Sequence, residues 1–145
     1  MNSCRCSPDQ VSRYAGRVSG PLLDRIDLHV VVQRIAYAEL RSDAQRGESS
    51  VEVRQRVAAA HALQIERMGK PNARMNGVEI ENYCALTERQ HQWLEKALSR
   101  FNLSARALHR VLKVARTIAD LAGSESVEQA HLAEAMSYRP IKSQG

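Results

Sequence analysis

Between Ser104 and Gly123 the apolar residues Leu108, Val111, Leu112, Ala115, Ile118, Ala119 and Ala122 follow the i, i+3, i+4, i+7 rule. At about 100° per residue this pattern gathers them on one side of an α-helix, and Arg106, Arg110 and Lys113 fall on the opposite side. Ser104 offers a side-chain oxygen to the first turn, and Gly123 can take the left-handed backbone that closes a helix. A helix with so continuous an aliphatic face must be covered, and the surrounding sequence supplies further helices to cover it.

Ser49 and Glu52 have the spacing of a capping box, with Val53, Val57 and Ala60 on one face of the helix that follows. That helix is predicted to stop near Gly69-Lys70-Pro71. Asn76-Gly77 marks a turn before a short helix over Val78–Tyr83. Thr87 with Gln90 opens the next helix, which carries Trp93, Leu94, Ala97 and Leu98. Ser126 with Gln129 opens the last, and Pro140 ends it. Aromatic residues make up only 4% of the chain, and its apolar mass is Ala, Val and Leu, which suits helix-on-helix packing.

The N-terminal third reads differently. Ser7 caps a helix with Pro8 at its first position, running to about Arg17 before Ser19-Gly20-Pro21 breaks it. From Ile26 to Val32 the chain becomes a β-branched run typical of a buried strand. One strand has no stability in water without partners, and no partner strand is found elsewhere in the sequence. The expected fold is therefore mainly α, a helical bundle preceded by a short helix and one orphan strand. Residues 1–33 read as the end of a larger domain, 34–49 as a polar linker and hinge, and 50–145 as the bundle.

Several chemistries are missing. Gly69-Lys70 is followed by Pro71 and lacks the upstream glycine spacing of a phosphate-binding loop. No apolar strand ends in an Asp-Glu pair that could hold Mg²⁺ and orient water. The chain is thus not expected to hydrolyse ATP alone. No apolar run approaches the roughly 20 residues of a membrane span, and no signal-type segment opens the sequence, so the expected location is the cytoplasm. The three cysteines, Cys4, Cys6 and Cys84, are then expected to be reduced. Two neighbouring thiolates do not close a tetrahedral site, so no metal is expected, and Cys84 reads as packed. The five histidines show no ligand spacing.

The formal charge of +5 fits either an Arg-rich surface or a polyanionic partner. Two arginines stand in unusual places. Arg25 lies between Asp24 and Asp27, just before the buried-type strand. Arg106 sits in the first turn of its helix, where a cation opposes the helix dipole at a cost of about 0.3–1 kcal/mol. The same helix end favours an anion, so a phosphate facing Arg106 would turn that cost into attraction. The alternative for each is an exposed arginine whose head lies in water.

The stretches from Cys4 to Gln10 and from Arg17-Val18-Ser19-Gly20-Pro21-Leu22-Leu23-Asp24-Arg25-Ile26-Asp27 to Leu28 resemble the magnesium-chelatase-like AAA+ proteins of bacteria, the ComM/YifB-like group. Leu103-Ser104-Ala105-Arg106-Ala107-Leu108-His109-Arg110 and its continuation to Leu121 resemble the C-terminal lid of that group, and His131–Arg139 its closing helix. The resemblance is weakest across 34–50 and 70–86. It implies an ATPase that binds ATP and Mg²⁺ through a core supplied by the rest of the protein, assembles as a homo-oligomeric ring, usually a hexamer, and acts on DNA. One member is regarded as a helicase in natural transformation. It further implies that Arg25 is an arginine finger acting on a neighbouring subunit's γ-phosphate, although Ile26 replaces the commoner Phe after it. Arg106 is implied to be the sensor-2 residue. Arg110, Lys113 and Arg116, read from the cationic surface of the same helix and not from the resemblance, are candidate phosphate or DNA contacts. A Cys-Pro-Cys-Gly-like pair that precedes Cys4 and Cys6 in the family is missing here.

A different reading makes the chain a small basic helical module that binds nucleic acid or a partner without any ATPase role. It would place Arg106, Arg110, Lys113 and Arg116 on phosphates and predicts binding that weakens steeply with salt. Against it, Lys and Arg are spread along the chain, and no helix carries an obvious set of base-reading side chains.

Overall fold

The computed structural model describes residues 6–18, 22, 25–34, 47–100 and 104–139. Among these, six α-helices and one short 3-10 turn account for the regular structure. Helix α1 spans Pro8–Ala15, α2 Ser50–Met68, α3 Gly77–Tyr83, α4 Glu88–Arg100, α5 Ala105–Leu121 and α6 Gln129–Ser137, with the 3-10 turn at Asn72–Arg74. None of the described helices is long and apolar enough to cross a membrane.

Most helix starts follow from a side chain that satisfies the otherwise unpaired first-turn amides. Ser7 and Gln10, Ser49 and Glu52, and Asn76 and Glu79 each form a reciprocal capping box. Thr87 and Gln90 exchange the same kind of bonds before α4. Gly69 ends α2 at φ 69°, and Gly123 at φ 68° ends α5. At the latter, the amides of Gly123 and Ser124 return to the carbonyls of Asp120 and Ala119 at 3.2 and 2.9 Å, a Schellman motif.

Helix α5 is the spine. Val111, Ala115 and Ala119 have no exposed surface, and Leu112 is nearly covered. Around them pack Met75, Ile80, Cys84 and Leu94 from the preceding elements, and Val127, Leu132, Ala135 and Met136 from α6 and the turn before it. Each large aliphatic side chain so buried contributes about 1.5–3 kcal/mol. Beside the aliphatic core lies a polar one. The Asn72 side chain donates to Asp120 at 2.8 Å and to Thr117 at 3.1 Å, and its backbone amide donates to the Gln64 side chain at 3.0 Å. Arg67 reaches the same Asp120 carboxylate from α2.

The face that carries Val53, Val57 and Ala60 is covered only in part: every residue from 50 to 59 is exposed, and α2 meets the bundle only from Ala60 onward. Two expectations change. The last helix starts two residues later than Ser126 suggests, because Val127 is buried and its carbonyl accepts from Gln90, so 124–127 form a packed turn. Glu128 becomes the residue before α6, its amide bonded to His131 Nδ1 at 3.0 Å. The β-branched run is not a strand here: residues 28–34 carry no regular structure, and Val30, Val31 and Val32 are 69%, 89% and 88% exposed. A ladder needs a second edge to bond to, and none lies among the described residues. Most of the 34–49 linker, and Cys4, lie outside the described residues.

Candidate functional site

The amino-terminal half of α5 carries the candidate site. Ser104 accepts the Ala107 amide at 3.3 Å, fixing where the helix begins. From there Arg106, Arg110 and Lys113, spaced by four and three, share one face. With His109, Ala73 and Asp27 they line a polar cleft of about 290 Å³. The structure therefore brings together three of the five arginine and lysine candidates, at a helix end whose dipole already favours an anion.

Their situations differ. Arg106 is exposed, and among the described residues no ion-pair partner faces it. Arg110 is committed: its Nη1 donates to the Arg25 carbonyl at 2.6 Å and pairs with the Asp27 carboxylate. The Lys113 ammonium donates to the Ala73 carbonyl at 3.1 Å. Arg25 is itself exposed, in a turn whose amide bonds to the Leu22 carbonyl at 3.0 Å. Its backbone touches α5, while its side chain is not part of the cleft wall.

Arg116 requires a correction. It is 2% exposed, with Nε on Asp120 at 3.1 Å and its two terminal nitrogens on the carbonyls of Glu125 and Ser124 at 2.9 and 2.6 Å. A guanidinium so enclosed braces the end of α5 and cannot reach a phosphate on the surface. Position explains it: Arg116 lies one residue after the fully buried Ala115, on the flank of the aliphatic face.

Two contributors were not singled out from sequence. Asp27 stood out only as a neighbour of Arg25, yet it is the counter-charge of Arg110. Arg139, just past α6, is 6% exposed and donates from Nη1 to the Ile26 carbonyl at 2.9 Å. Its Nε and Nη2 are buried without a hydrogen-bond partner among the described residues. An arginine after a helix end reads as an ordinary favourable cation, and no local pattern reveals that it turns back onto a segment more than a hundred residues earlier. Among the described residues no group of three or more His, Cys, Asp or Glu side chains could hold a metal ion.

The helical bundle and its family are now defined together. A family model described as "Magnesium chelatase, subunit ChlI C-terminal" matches residues 47–139, and one described as "Magnesium chelatase, subunit ChlI" matches residues 1–40. The chain belongs to the magnesium-chelatase-like family, within its ComM/YifB-like group. It is 49% identical over 137 residues to the competence protein ComM of Haemophilus influenzae, covering 94% of this chain and 27% of that protein. It is 47% identical over 140 residues to a protein named YifB from Salmonella typhimurium, covering 97% of this chain and 28% of that one. A Mycobacterium bovis protein is 37% identical over 140 residues, covering 94% and 27%. The chain thus spans little more than a quarter of the length of these relatives.

Proposed function

We propose that this chain is the nucleotide-sensing lid of a ring-forming, cytoplasmic AAA+ ATPase that remodels DNA. Residues 1–33 would be the end of the ATPase core, 34–49 the hinge and 50–145 the lid. The observation that carries the reading is the cationic cleft at the start of α5, in which Arg106 is exposed while Arg110 and Lys113 are held by carbonyls and Asp27. A helix start with one arginine uncommitted among the described residues suits a phosphate better than a long polyanion, which needs many cations at once.

In this reading ATP and Mg²⁺ are bound by the core of the longer protein. The described residues offer no ligand cluster for the metal, so no step here is assigned to it. Arg106 acts as sensor 2. Its contact with nucleotide phosphates would differ between the triphosphate and diphosphate states, setting the angle of the lid. Arg25 acts across the subunit boundary, placing a permanent positive charge where negative charge develops on the transferring phosphoryl group. Such fingers are worth about 10³–10⁵ in rate where measured. A finger that serves a neighbour needs a second subunit beside it, and the homo-hexameric ring of this reading follows from the family resemblance.

The test is ATP turnover by the full-length protein carrying Arg25→Ala or Arg106→Ala, alone and in mixed rings with unaltered subunits. Loss of turnover in both, with Arg25→Ala subunits still firing beside unaltered neighbours, is the expected result. Unchanged turnover in both would remove the assignment. The basic DNA-binding module would then take first place, although Arg110, Lys113 and Arg116 are already engaged within the chain.

A further inference from the structure

The stretch from Arg25 to His29 is fastened to the bundle at successive backbone positions. The Arg25 carbonyl accepts from Arg110 at 2.6 Å, and the Ile26 carbonyl from Arg139 at 2.9 Å. The Asp27 carboxylate pairs with Arg110, and the His29 amide donates to the Tyr138 carbonyl at 2.8 Å. Two places do the holding, the amino-terminal half of α5 and the turn just past α6. The attachment is polar and owes little to apolar burial, because Ile26 and Leu28 are 41% and 49% exposed. Burying the Arg139 guanidinium for a single described hydrogen bond is a costly way to hold a loop unless its position matters.

Arg110 lies one helical turn beyond Arg106 on the same face. Any displacement of the nucleotide-facing end of α5 therefore carries Arg110 with it, and Arg110 grips the carbonyl of residue 25 itself. We infer that Arg110 and Arg139 form a backbone clamp that sets the position of Arg25, with Asp27 fixing the orientation of the Arg110 fork. Arg110 is then a positioning residue and not a phosphate ligand. Through it, the lid's response to a subunit's own nucleotide reaches the finger which that subunit offers to its neighbour. This inference rests on the roles proposed above for Arg25 and Arg106.

The experiment uses the full-length protein and four variants: Arg25→Ala, Arg110→Ala, Arg110→Lys, and the exchanged pair Asp27→Arg with Arg110→Asp. ATP turnover is measured in pure and mixed rings, alongside hydrogen exchange at the peptide containing His29. Arg110→Ala is expected to lower kcat by about tenfold or more, as small misplacements of a reacting group do, with KM for ATP within about twofold. In mixed rings the defect should fall on the site served by the altered subunit's finger, as with Arg25→Ala, and exchange at His29 should speed up. Arg110→Lys, which keeps a donor and the charge, should recover part of kcat, whereas the exchanged pair, which restores the ion pair but leaves position 110 without a donor for the Arg25 carbonyl, should not.

If Arg25→Ala abolishes turnover while Arg110→Ala leaves kcat and the His29 exchange unchanged, the clamp is overturned and the finger stands. A raised KM with unchanged kcat in Arg110→Ala overturns it too, by making Arg110 a ligand of the subunit's own nucleotide. Should Arg25→Ala itself leave turnover intact, the finger assignment fails first and the clamp with it.

Discussion

Arg67 and Asp120 lie 53 positions apart and meet in an ion pair whose carboxylate has no exposed surface. The same carboxylate accepts from Arg116 at 3.1 Å and from Asn72 at 2.8 Å. One acidic side chain thus ties α2, the 3-10 turn and α5 together. Removing it would leave the buried Arg116 without its counter-charge, which is far costlier than never having placed the pair there. Asp120→Ala should lower unfolding stability by about 3–5 kcal/mol, with Asp120→Asn between it and the unaltered chain. Urea midpoints at unchanged slope measure this. A loss no larger than that of a surface substitution would mean that the network carries little stability.

Cys84 is 3% exposed, and its thiol donates to the Leu112 carbonyl at 3.6 Å. Burial pushes its pKa up to about 11. The thiolate is the reactive form, so in a Cys4→Ser, Cys6→Ser background a disulfide reagent at pH 8 should label native chain only as fast as it opens. The raised pKa also sets a sign for stability. The unfolded thiol ionises near its ordinary value of 9.0 while the folded one keeps its proton, so stability is full below that pH and falls as pH rises toward 11. Cys84→Ala should flatten that part of the stability–pH curve; an unchanged slope would assign the loss to other groups.

Gly69 and Gly123 take positive φ, and a Cβ built at either meets nothing within 4 Å. The cost of a side chain there is purely conformational. Gly123→Ala and Gly69→Ala should each destabilise by about 1 kcal/mol, seen as a lowered thermal midpoint with unchanged helical signal. A D-alanine at position 123, introduced by ligation, should restore or exceed the original midpoint. Equal losses for both enantiomers would point to a steric cause.

Val57 and Ala60 share a face in the sequence pattern but not an environment: Val57 is 53% exposed and Ala60 4%. Val57→Lys should change the stability of the chain by no more than about 0.5 kcal/mol, whereas Ala60→Lys should cost about 2 kcal/mol or more. Parallel melts of the two variants test it. Comparable losses would place the outer part of α2 against something in the chain.

What could be read in advance follows the range of the forces involved. The cap at Ser7, the capping box at Ser49 and the glycine stops are local bonds between near neighbours in sequence, so spacing alone locates them, whereas Asn76, read as a turn, also caps α3 through Glu79. The aliphatic face of α5 was equally legible, although Ala122 at its far end is exposed. Periodicity tells which way a side chain points, not whether a neighbour stands there, so it does not separate the exposed Val53 and Val57 from the buried Ala60 on the same face. Arg106, Arg110 and Lys113 could be put on one face from spacing. That Arg116 turns inward to Asp120, and that Arg110 and Arg139 reach Arg25 and Ile26, depends on contacts across the fold that no local pattern encodes.

Helix α2 is 19 residues long, yet its outer half stands clear of the bundle while its foot is anchored by Ala60, Gln64 and Arg67. Ten unsupported residues make an arm of about 15 Å. Any rotation at the foot, where Arg67 meets Asp120, would reach the tip at Ser49 as a sweep enlarged in proportion to that length.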